Sequence, residues 1–350
     1  YSLSFVEASV RLEGLLGDLP AGWHELSARA LAARRSQPRR SRWTGVETPL
    51  LLRAVAIVLI VGSHANLLAV PGGAHALLAV CGFQLARFQL AGRAAGDRVR
   101  ALLRAARNIA VPAGLFIGGA GLVTGMYDAT TALFLNNLLG SHDWDDRWQF
   151  WFLEVVVWTF LGLAALMSVR RVDRLERRYP FGFAAGALAV TALLRFALVG
   201  VEADIPHRYA LPVVLWCVAL GWAAARATTR GQRVAVTVAA PLLTYGFFDD
   251  PMRETVVVAG VALLVWLPRV PLPRVLLRPL SVVAAASLWV YLTHWQVYPY
   301  LEDDHPLLAT LSSFAVGIGC WWAYPRITAS ARRLVDVLPP QPTLTSPRWR

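Results

Sequence analysis

The apolar segment RAVAIVLIVGSH begins with an arginine, Arg53, and ends with a histidine, His64. An imidazole titrates near neutral pH and can therefore move a proton, and a guanidinium binds anions through paired hydrogen bonds. In an α-helix, residues with this separation share nearly the same face, about 16 Å apart along the axis. Since a charged side chain is costly in lipid, both residues are expected to face protein or a wet cavity.

Further ionisable residues lie in other apolar segments. Glu154 and His294 occupy the outer thirds of two later segments, at a depth similar to that of His64. Arg104 and Arg107 are three residues apart and would share one helix face. His75 and Arg195 are additional intramembrane candidates. The three cysteines stand singly in apolar runs, which favours neither a metal site nor a disulfide framework.

Apolar blocks of membrane-spanning length must position these residues. The chain of 350 residues is 56% hydrophobic and 16% charged, well below the charged fraction of an ordinary soluble domain. This pattern predicts an all-α membrane protein with about ten transmembrane helices. The expected spans are 49–69, 72–91, 108–127, 149–169, 181–200, 209–226, 232–248, 254–268, 280–300 and 307–325.

The arginines test this count, because cytoplasmic loops of membrane proteins are rich in basic residues. Arginine-rich segments precede the first block and follow the second, fourth, sixth, eighth and tenth, whereas the intervening loops are mostly acidic. The alternation predicts a multi-pass protein of the cell membrane with both termini in the cytoplasm. The net charge of +12 then reflects topology and attraction to membrane lipids, and no nucleic-acid partner is expected.

Four regions follow from these patterns. Residues 1–33 show helical apolar spacing with a central break but are too few to form a core alone. Residues 34–48 form a basic cytoplasmic linker, 49–326 the membrane domain and 327–350 a cytoplasmic tail.

Several motifs in order resemble the acyltransferase 3 family of membrane proteins, over roughly residues 45–330. They are the Arg53–His64 span, PGGAHALLAVCGF (71–83), RAARNIAVP (104–112), WFLE (151–154) and SLWVYLTHW (287–295). The chain departs from the family pattern at Cys81, where serine is usual.

The first segment resembles the second half of an acyl-carrier domain. YSLSFVEASVRLEGLLG is similar to the helix that starts at the phosphopantetheine-bearing serine, which would be Ser2, although Tyr1 replaces the usual aspartate. This resemblance implies an upstream acyl-activating and carrier module in the same polypeptide. The alternative interpretation is an amphipathic lead-in helix.

The family resemblance implies an O-acyltransferase. An acyl group would move from a cytoplasmic thioester, either acyl-coenzyme A or acyl-phosphopantetheine on a carrier, to a hydroxyl of a glycan, lipid or small metabolite. His64 would serve as general base or acyl relay, with Glu154 or His294 close to it. Arg53, Arg104 and Arg107 would bind the donor, and no metal is implied.

Other interpretations remain open at this stage. A proton-coupled transporter of a small solute would also bury Arg, Glu and His, although no second copy of the Arg53–His64 span suggests an inverted repeat. A lipid-binding structural protein and a thioester hydrolase are further alternatives. Arg53 could extend to the interface from an apolar stem, and Arg104 and Arg107 could serve only as topology-determining charges.

Overall fold

The computed structural model describes residues 42–91, 94–140 and 143–337. A compact unit begins at Gly45, and its described residues are almost entirely helical. The expected carrier-like segment 1–33, with Ser2, and most of the expected linker 34–48 lie outside the described residues.

A helix lies within or across each of the ten apolar blocks. These helices are α1 (Thr48–His64), α2 (Gly73–Gln84), α3 (Ala95–Thr124), α6 (Trp151–Ser168), α8 (Pro180–Val199), α9 (Leu211–Arg226), α10 (Arg230–Thr244), α11 (Pro251–Trp266), α12 (Leu277–Thr293) and α13 (Pro306–Val337). Three short helices connect them: α4 (Ala129–Ala132), α5 (Asn136–Leu139) and α7 (Arg170–Arg178).

Five helical stretches in the described part of the chain are long and apolar enough to cross a membrane. They are Ala95–Thr124, Asp146–Ser168, Pro180–Val199, Arg274–Tyr300 and Pro306–Ser330. The helices α1 and α9 are apolar but shorter. The described residues therefore form an all-α fold with five candidate membrane-spanning helices.

Several boundaries differ from those expected from hydropathy. The helix α3 begins at Ala95 rather than near 108, and α13 continues to Val337, so no helix ends at the expected tail boundary after 326. Hydropathy misses these extensions because charged helical turns continue beyond the apolar stretch. Two short strands, β1 (Trp43–Glu47) and β2 (Arg269–Pro273), pair in a small sheet that the sequence did not predict.

The helices α2 and α9 cross at the centre of the core. A Cβ added at Gly82 would lie 1.9 Å from the carbonyl oxygen of Val218, and one at Gly221 would lie 1.8 Å from that of Ala79. Only glycine permits such backbone contact between helices. A π-helical turn, Leu85–Gln89, extends α2, and such turns are frequent at functional sites.

Several segments, most of them rich in arginine, meet at one end of the bundle, which we call the basic end (43–47, 85–91, 94–98, 169–178, 226–230 and 267–276). The buried guanidinium of Arg98 contacts Asp173 at 2.6 Å and also pairs with Glu176, which accepts a further hydrogen bond from Arg226 at 2.7 Å. The segment RRVDRLERR is thus a helix, α7, whose acidic residues tie α3 to α9.

The remaining described loops form the acidic end (65–72, 125–140, 143–150, 200–210, 245–250 and 294–305). Arg208 donates a hydrogen bond to the carbonyl of Phe248 at 2.9 Å, and Asn66 donates to Glu302 at 3.3 Å. These contacts join loops that the arginine distribution assigns to one side of the membrane, as the Arg98 contacts do at the basic end.

Candidate functional site

The structure brings His64 and His294 into direct contact at the acidic end. Nδ1 of His64 lies 3.0 Å from Nε2 of His294, and the two rings are nearly parallel. On its other side, Nδ1 of His294 lies 2.7 Å from the carbonyl oxygen of Tyr291. The two imidazoles therefore form a hydrogen-bonded chain that ends on the backbone of α12.

This chain determines where the hydrogens lie when both rings are neutral. A carbonyl oxygen only accepts, so Nδ1 of His294 carries a hydrogen and its Nε2 has a lone pair. His64 consequently donates from Nδ1, and its Nε2 retains a lone pair. Among the described residues Nε2 of His64 makes no hydrogen bond, so this nitrogen is free to accept a proton from a ligand.

Local structure explains the position of both histidines. His64 is the last residue of α1, and the chain turns away at Asn66, which has a φ of 55°. His294 follows the last residue of α12 and is fully buried. The ring of Trp295 packs 4.6 Å from that of His64, which limits the orientations open to the imidazole.

A small cavity of about 230 Å³ adjoins His64. Its wall combines this imidazole and Arg253 with aromatic rings and the first turn of α2. The lining residues are Ile60, Ser63, His64, Pro71, Gly72, Gly73, Ala74, His75, Trp144, Trp151, Tyr209, Arg253, Tyr291 and Trp295. We call it the outer cavity because its loops belong to the acidic end.

A second cavity, of about 1030 Å³, extends toward the basic end, and we call it the inner cavity. Its polar lining is supplied by Arg53, Cys81, Gln84, Gln89, Arg107, Asn108, Ser287, Tyr291, Tyr324 and Thr328. Within the described part of the chain, its wall contains two arginines and no acidic side chain. The inner cavity is therefore suited to an anionic ligand.

Arg53 is held with most of its donors unused. Its Nε donates a hydrogen bond to the hydroxyl of Ser287 at 2.8 Å. Its two Nη groups make no hydrogen bond to any described residue, so the fork remains available to a phosphate or carboxylate.

Tyr291 is the residue common to the walls of both cavities. Its side chain is 3% exposed, and its hydroxyl donates to the carbonyl of Gln149 at 2.9 Å. Its ring packs 5.4 Å from that of Phe152 and 5.6 Å from that of His294. One aromatic ring thus stands between the inner cavity and the histidine pair.

The arginines expected at the donor side fall in different places. Arg107 lines the inner cavity, whereas Arg104 is exposed and is not part of its wall. Arg195 is fully buried and donates hydrogen bonds to the carbonyls of Leu243 and Val201. Its guanidinium also packs over the rings of Phe196 and Phe247, so its role is structural. Of the expected residues, the structure therefore brings Arg53 and Arg107 to one cavity.

Glu154 does not join the histidines. Its Oε1 accepts a hydrogen bond from the backbone N–H of Asn137 at 2.8 Å, and the Oδ1 of Asn137 accepts from the N–H of Leu211 at 2.6 Å. The carboxylate thus fixes the α5 loop against the start of α9. Glu154 points from α6 toward that loop and not toward the histidines. Of the two residues expected near His64, His294 contacts it and Glu154 does not.

His75 lines the outer cavity, but one of its nitrogens is occupied. Its Nε2 lies 3.0 Å from the carbonyl oxygen of Arg208, and its ring packs 5.0 Å from that of Trp151. Because the carbonyl accepts, Nε2 of His75 carries a hydrogen. This residue therefore holds the aromatic wall in place.

Asp128 joins the two loop segments beside the outer cavity, 125–140 and 143–150, through Thr131 and Arg147. Although partial burial raises the pKa of this carboxyl, hydrogen bonds from Thr130, Thr131 and Arg147 outweigh it and lower the pKa to about 2. The carboxylate caps α4 by accepting from the N–H of Thr131 at 3.0 Å. The loop that carries Trp144 is thus anchored by a group ionised at neutral pH.

Sequence reasoning missed three residues of the site. Arg253 stands in the acidic segment FDDPMRE, and Tyr209 carried no pattern of its own, whereas Tyr291 lay within the motif SLWVYLTHW but was given no role. A signal did exist for Arg253, since an arginine in one of the acidic loops does not fit the alternation of basic and acidic loops. The described residues contain no group of three or more His, Cys, Asp or Glu side chains that could hold a metal ion.

Comparison of the chain with family models, with curated proteins and with solved structures gives no match. The function is therefore argued from the site itself.

Proposed function

We propose that this protein is a membrane-bound acyltransferase that moves an acyl group from a thioester in the inner cavity to a hydroxyl in the outer cavity. The observation that carries the proposal is the free Nε2 of His64, oriented through His294 and adjacent to a cavity of suitable size for a small acceptor. The ordered motifs that resemble the acyltransferase 3 family support the same conclusion.

The inner cavity supports the donor half of the reaction. Coenzyme A and phosphopantetheine both carry phosphate, and the unused Nη groups of Arg53 together with Arg107 supply donors for phosphate oxygens. A volume of about 1030 Å³ is at the upper end of ordinary ligand pockets. The donor would enter from the basic end and present its acyl group toward Tyr291.

The outer cavity supports the acceptor half. The hydroxyl proton passes to Nε2 of His64, the hydroxyl oxygen bonds to the thioester carbonyl carbon, and the carbon–sulfur bond breaks. The leaving thiolate takes up the proton from His64. The first-turn N–H groups of α2, at Gly73 and Ala74 in the cavity wall, suit the intermediate oxyanion.

We extend the proposal to topology and donor supply. All ten apolar helices would lie in the cell membrane, with both termini in the cytoplasm. Helices as short as α1 can span where the bilayer is thinned or where neighbouring helices surround them. The donor would be acyl-coenzyme A, or an acyl-carrier segment that includes Ser2 and is loaded by an upstream module.

A proton-coupled transporter is the second candidate, and one observation favours it. The two cavities lie toward opposite ends of the bundle, and the ring of Tyr291, which lines both, would serve as a gate between them. A solute could bind on either side of such a gate, with His64 carrying the proton. The absence of any covalent product on turnover would favour this alternative.

The test is a transfer assay with purified protein, radiolabelled acyl-coenzyme A species and cell-envelope extract. Label should enter a glycan, lipid or metabolite fraction with wild type and with His305→Ala, which changes an exposed histidine outside both cavities. Transfer should be lost with His64→Ala of equal thermal stability. Full transfer by that variant would overturn the mechanism.

A further inference from the structure

Arg253 is positioned at the outer cavity in a way that the transfer chemistry alone does not require. It follows Pro251 in the first turn of α11, where Asp250 caps the helix by accepting from the N–H groups of Met252 and Arg253. The Nη1 group donates to the hydroxyl of Tyr209 at 3.2 Å, and the guanidinium lies over the ring of Phe248. These contacts hold the cation at the cavity wall.

The charge of Arg253 is only loosely paired. The nearest oxygen of Asp250 is 3.8 Å from Nε, which is beyond hydrogen-bond distance. The Nη2 group makes no hydrogen bond to the described residues. Because the outer cavity wall also contains no acidic side chain among its lining residues, a ligand there would experience a net positive field.

Aromatic rings form a continuous surface next to this cation. The ring of Tyr209 lies 4.8 Å from that of Trp144 and 5.0 Å from that of Trp151. Broad ring faces pack against apolar C–H surfaces, while the indole N–H of tryptophan donates hydrogen bonds and the hydroxyl of tyrosine both donates and accepts them. A sugar ring presents both kinds of surface, with C–H groups on its faces and hydroxyls at its rim.

The geometry points to an anionic sugar as the acceptor, with its ring on the Trp144–Tyr209–Trp151 surface and its carboxylate or phosphate on Arg253. A volume of about 230 Å³ is below the range of roughly 300–1,000 Å³ that holds drug-sized ligands, which limits the group bound here to a small one such as a single sugar unit. A hydroxyl of that unit would then lie within the same small cavity as Nε2 of His64. This inference rests on the proposed function, because it identifies the acceptor of the proposed transfer.

Binding of matched sugars without any acyl donor tests the assignment. The full chain in detergent is titrated with methyl glucuronide and with methyl glucoside, which differ by a carboxylate, and quenching of tryptophan fluorescence reports binding. Wild type should bind the glucuronide at least about tenfold more tightly, as expected for one charge-assisted hydrogen bond. In Arg253→Gln the two affinities should become equal.

Two further variants control for folding and for general charge. Arg253→Lys keeps the charge but loses the planar fork, and it should retain a reduced preference for the glucuronide. Asp304→Asn changes the charge of the same end at an exposed residue outside the cavity wall, and it should behave as wild type. Equal binding of both sugars by wild type, binding of neither, or a preference that survives in Arg253→Gln would overturn the inference.

The outcome is independent of catalysis. A charge preference that depends on Arg253, in a protein that never transfers an acyl group, would retain the binding site and reject the proposed function. Transfer to a neutral sugar with no such preference would retain the function and reject the anionic acceptor.

Discussion

The inner and outer cavities differ in volume, in charge carriers and in the side chains that form their walls. The inner cavity, about 1030 Å³, combines Arg53 and Arg107 with apolar helix faces and a π-helical turn. The outer cavity, about 230 Å³, combines His64 and Arg253 with a wall of aromatic side chains. The first is suited to holding a large anion, and the second to proton transfer on a small ligand, so the difference predicts that binding and chemistry can be separated by mutation.

The largest effect is expected at His64. His64→Ala removes the free Nε2, and loss of a general base reduces transfer by about 10² to 10⁴-fold. Because His64 is not part of the inner cavity wall, the affinity for acyl-coenzyme A should change by less than about twofold. Equilibrium binding of labelled donor measures this separation, and a parallel loss of donor affinity would show that the two cavities act as one site.

The reverse separation is expected at Arg107. Arg107→Gln removes a charged donor from the inner cavity and should weaken donor binding by about tenfold, the equivalent of about 1.4 kcal/mol. Arg104→Gln, three residues away on the same helix but outside the wall, is the matched control and should leave donor affinity unchanged. Equal loss in both variants would indicate a general charge effect instead of a binding contact.

Local sequence patterns predicted the helices but not the cavities. Each apolar block contains a helix, which is the conformation that satisfies backbone hydrogen bonds within a single segment. The Arg53–His64 spacing correctly placed both residues on one helix, but their separation along α1 puts them in different cavities. The spacing of residues in the sequence predicts their positions along the helix axis, but it does not predict which cavity each side chain lines.

Residues that depend on packing between distant helices were beyond sequence reasoning. His294 approaches His64 because α12 ends beside α1, whereas Glu154, at the same expected depth, is rotated toward Asn137. The direction in which a side chain points depends on which neighbouring helices pack against each face of its own helix. Several faces of α6 are equally apolar, so the sequence did not predict which neighbours each face packs against. Tyr291 and Arg253 acquire their roles only when two cavities form around them.

Tyr291 offers a test of the boundary between the cavities. Tyr291→Phe keeps the ring but leaves the carbonyl of Gln149 without its donor, which should lower the free energy of unfolding by about 1–3 kcal/mol. Transfer should persist within a few-fold, since the separating ring is still present. Thermal melting and the transfer assay measure the two effects.

Tyr291→Ala is the matched variant that removes the ring. It should destabilise the fold by about 3–5 kcal/mol and also admit water between the cavities, so that thioester hydrolysis rises relative to transfer. A variant that folds and keeps the wild-type ratio of transfer to hydrolysis would show that Tyr291 does not divide the two sites.

The smallest effect is expected at Glu154, and it separates a positioning contact from a catalytic one. In Glu154→Gln the side-chain oxygen can still accept from the N–H of Asn137, so the α5 loop and the start of α9 should keep their positions. Transfer should then remain within about twofold of wild type with an unchanged pH profile, because no proton moves through this residue.

Glu154→Ala removes the acceptor from a buried N–H and should lower the free energy of unfolding by about 1–3 kcal/mol. A large loss of transfer in Glu154→Gln at normal stability would instead assign the carboxylate a direct part in the chemistry of the outer cavity.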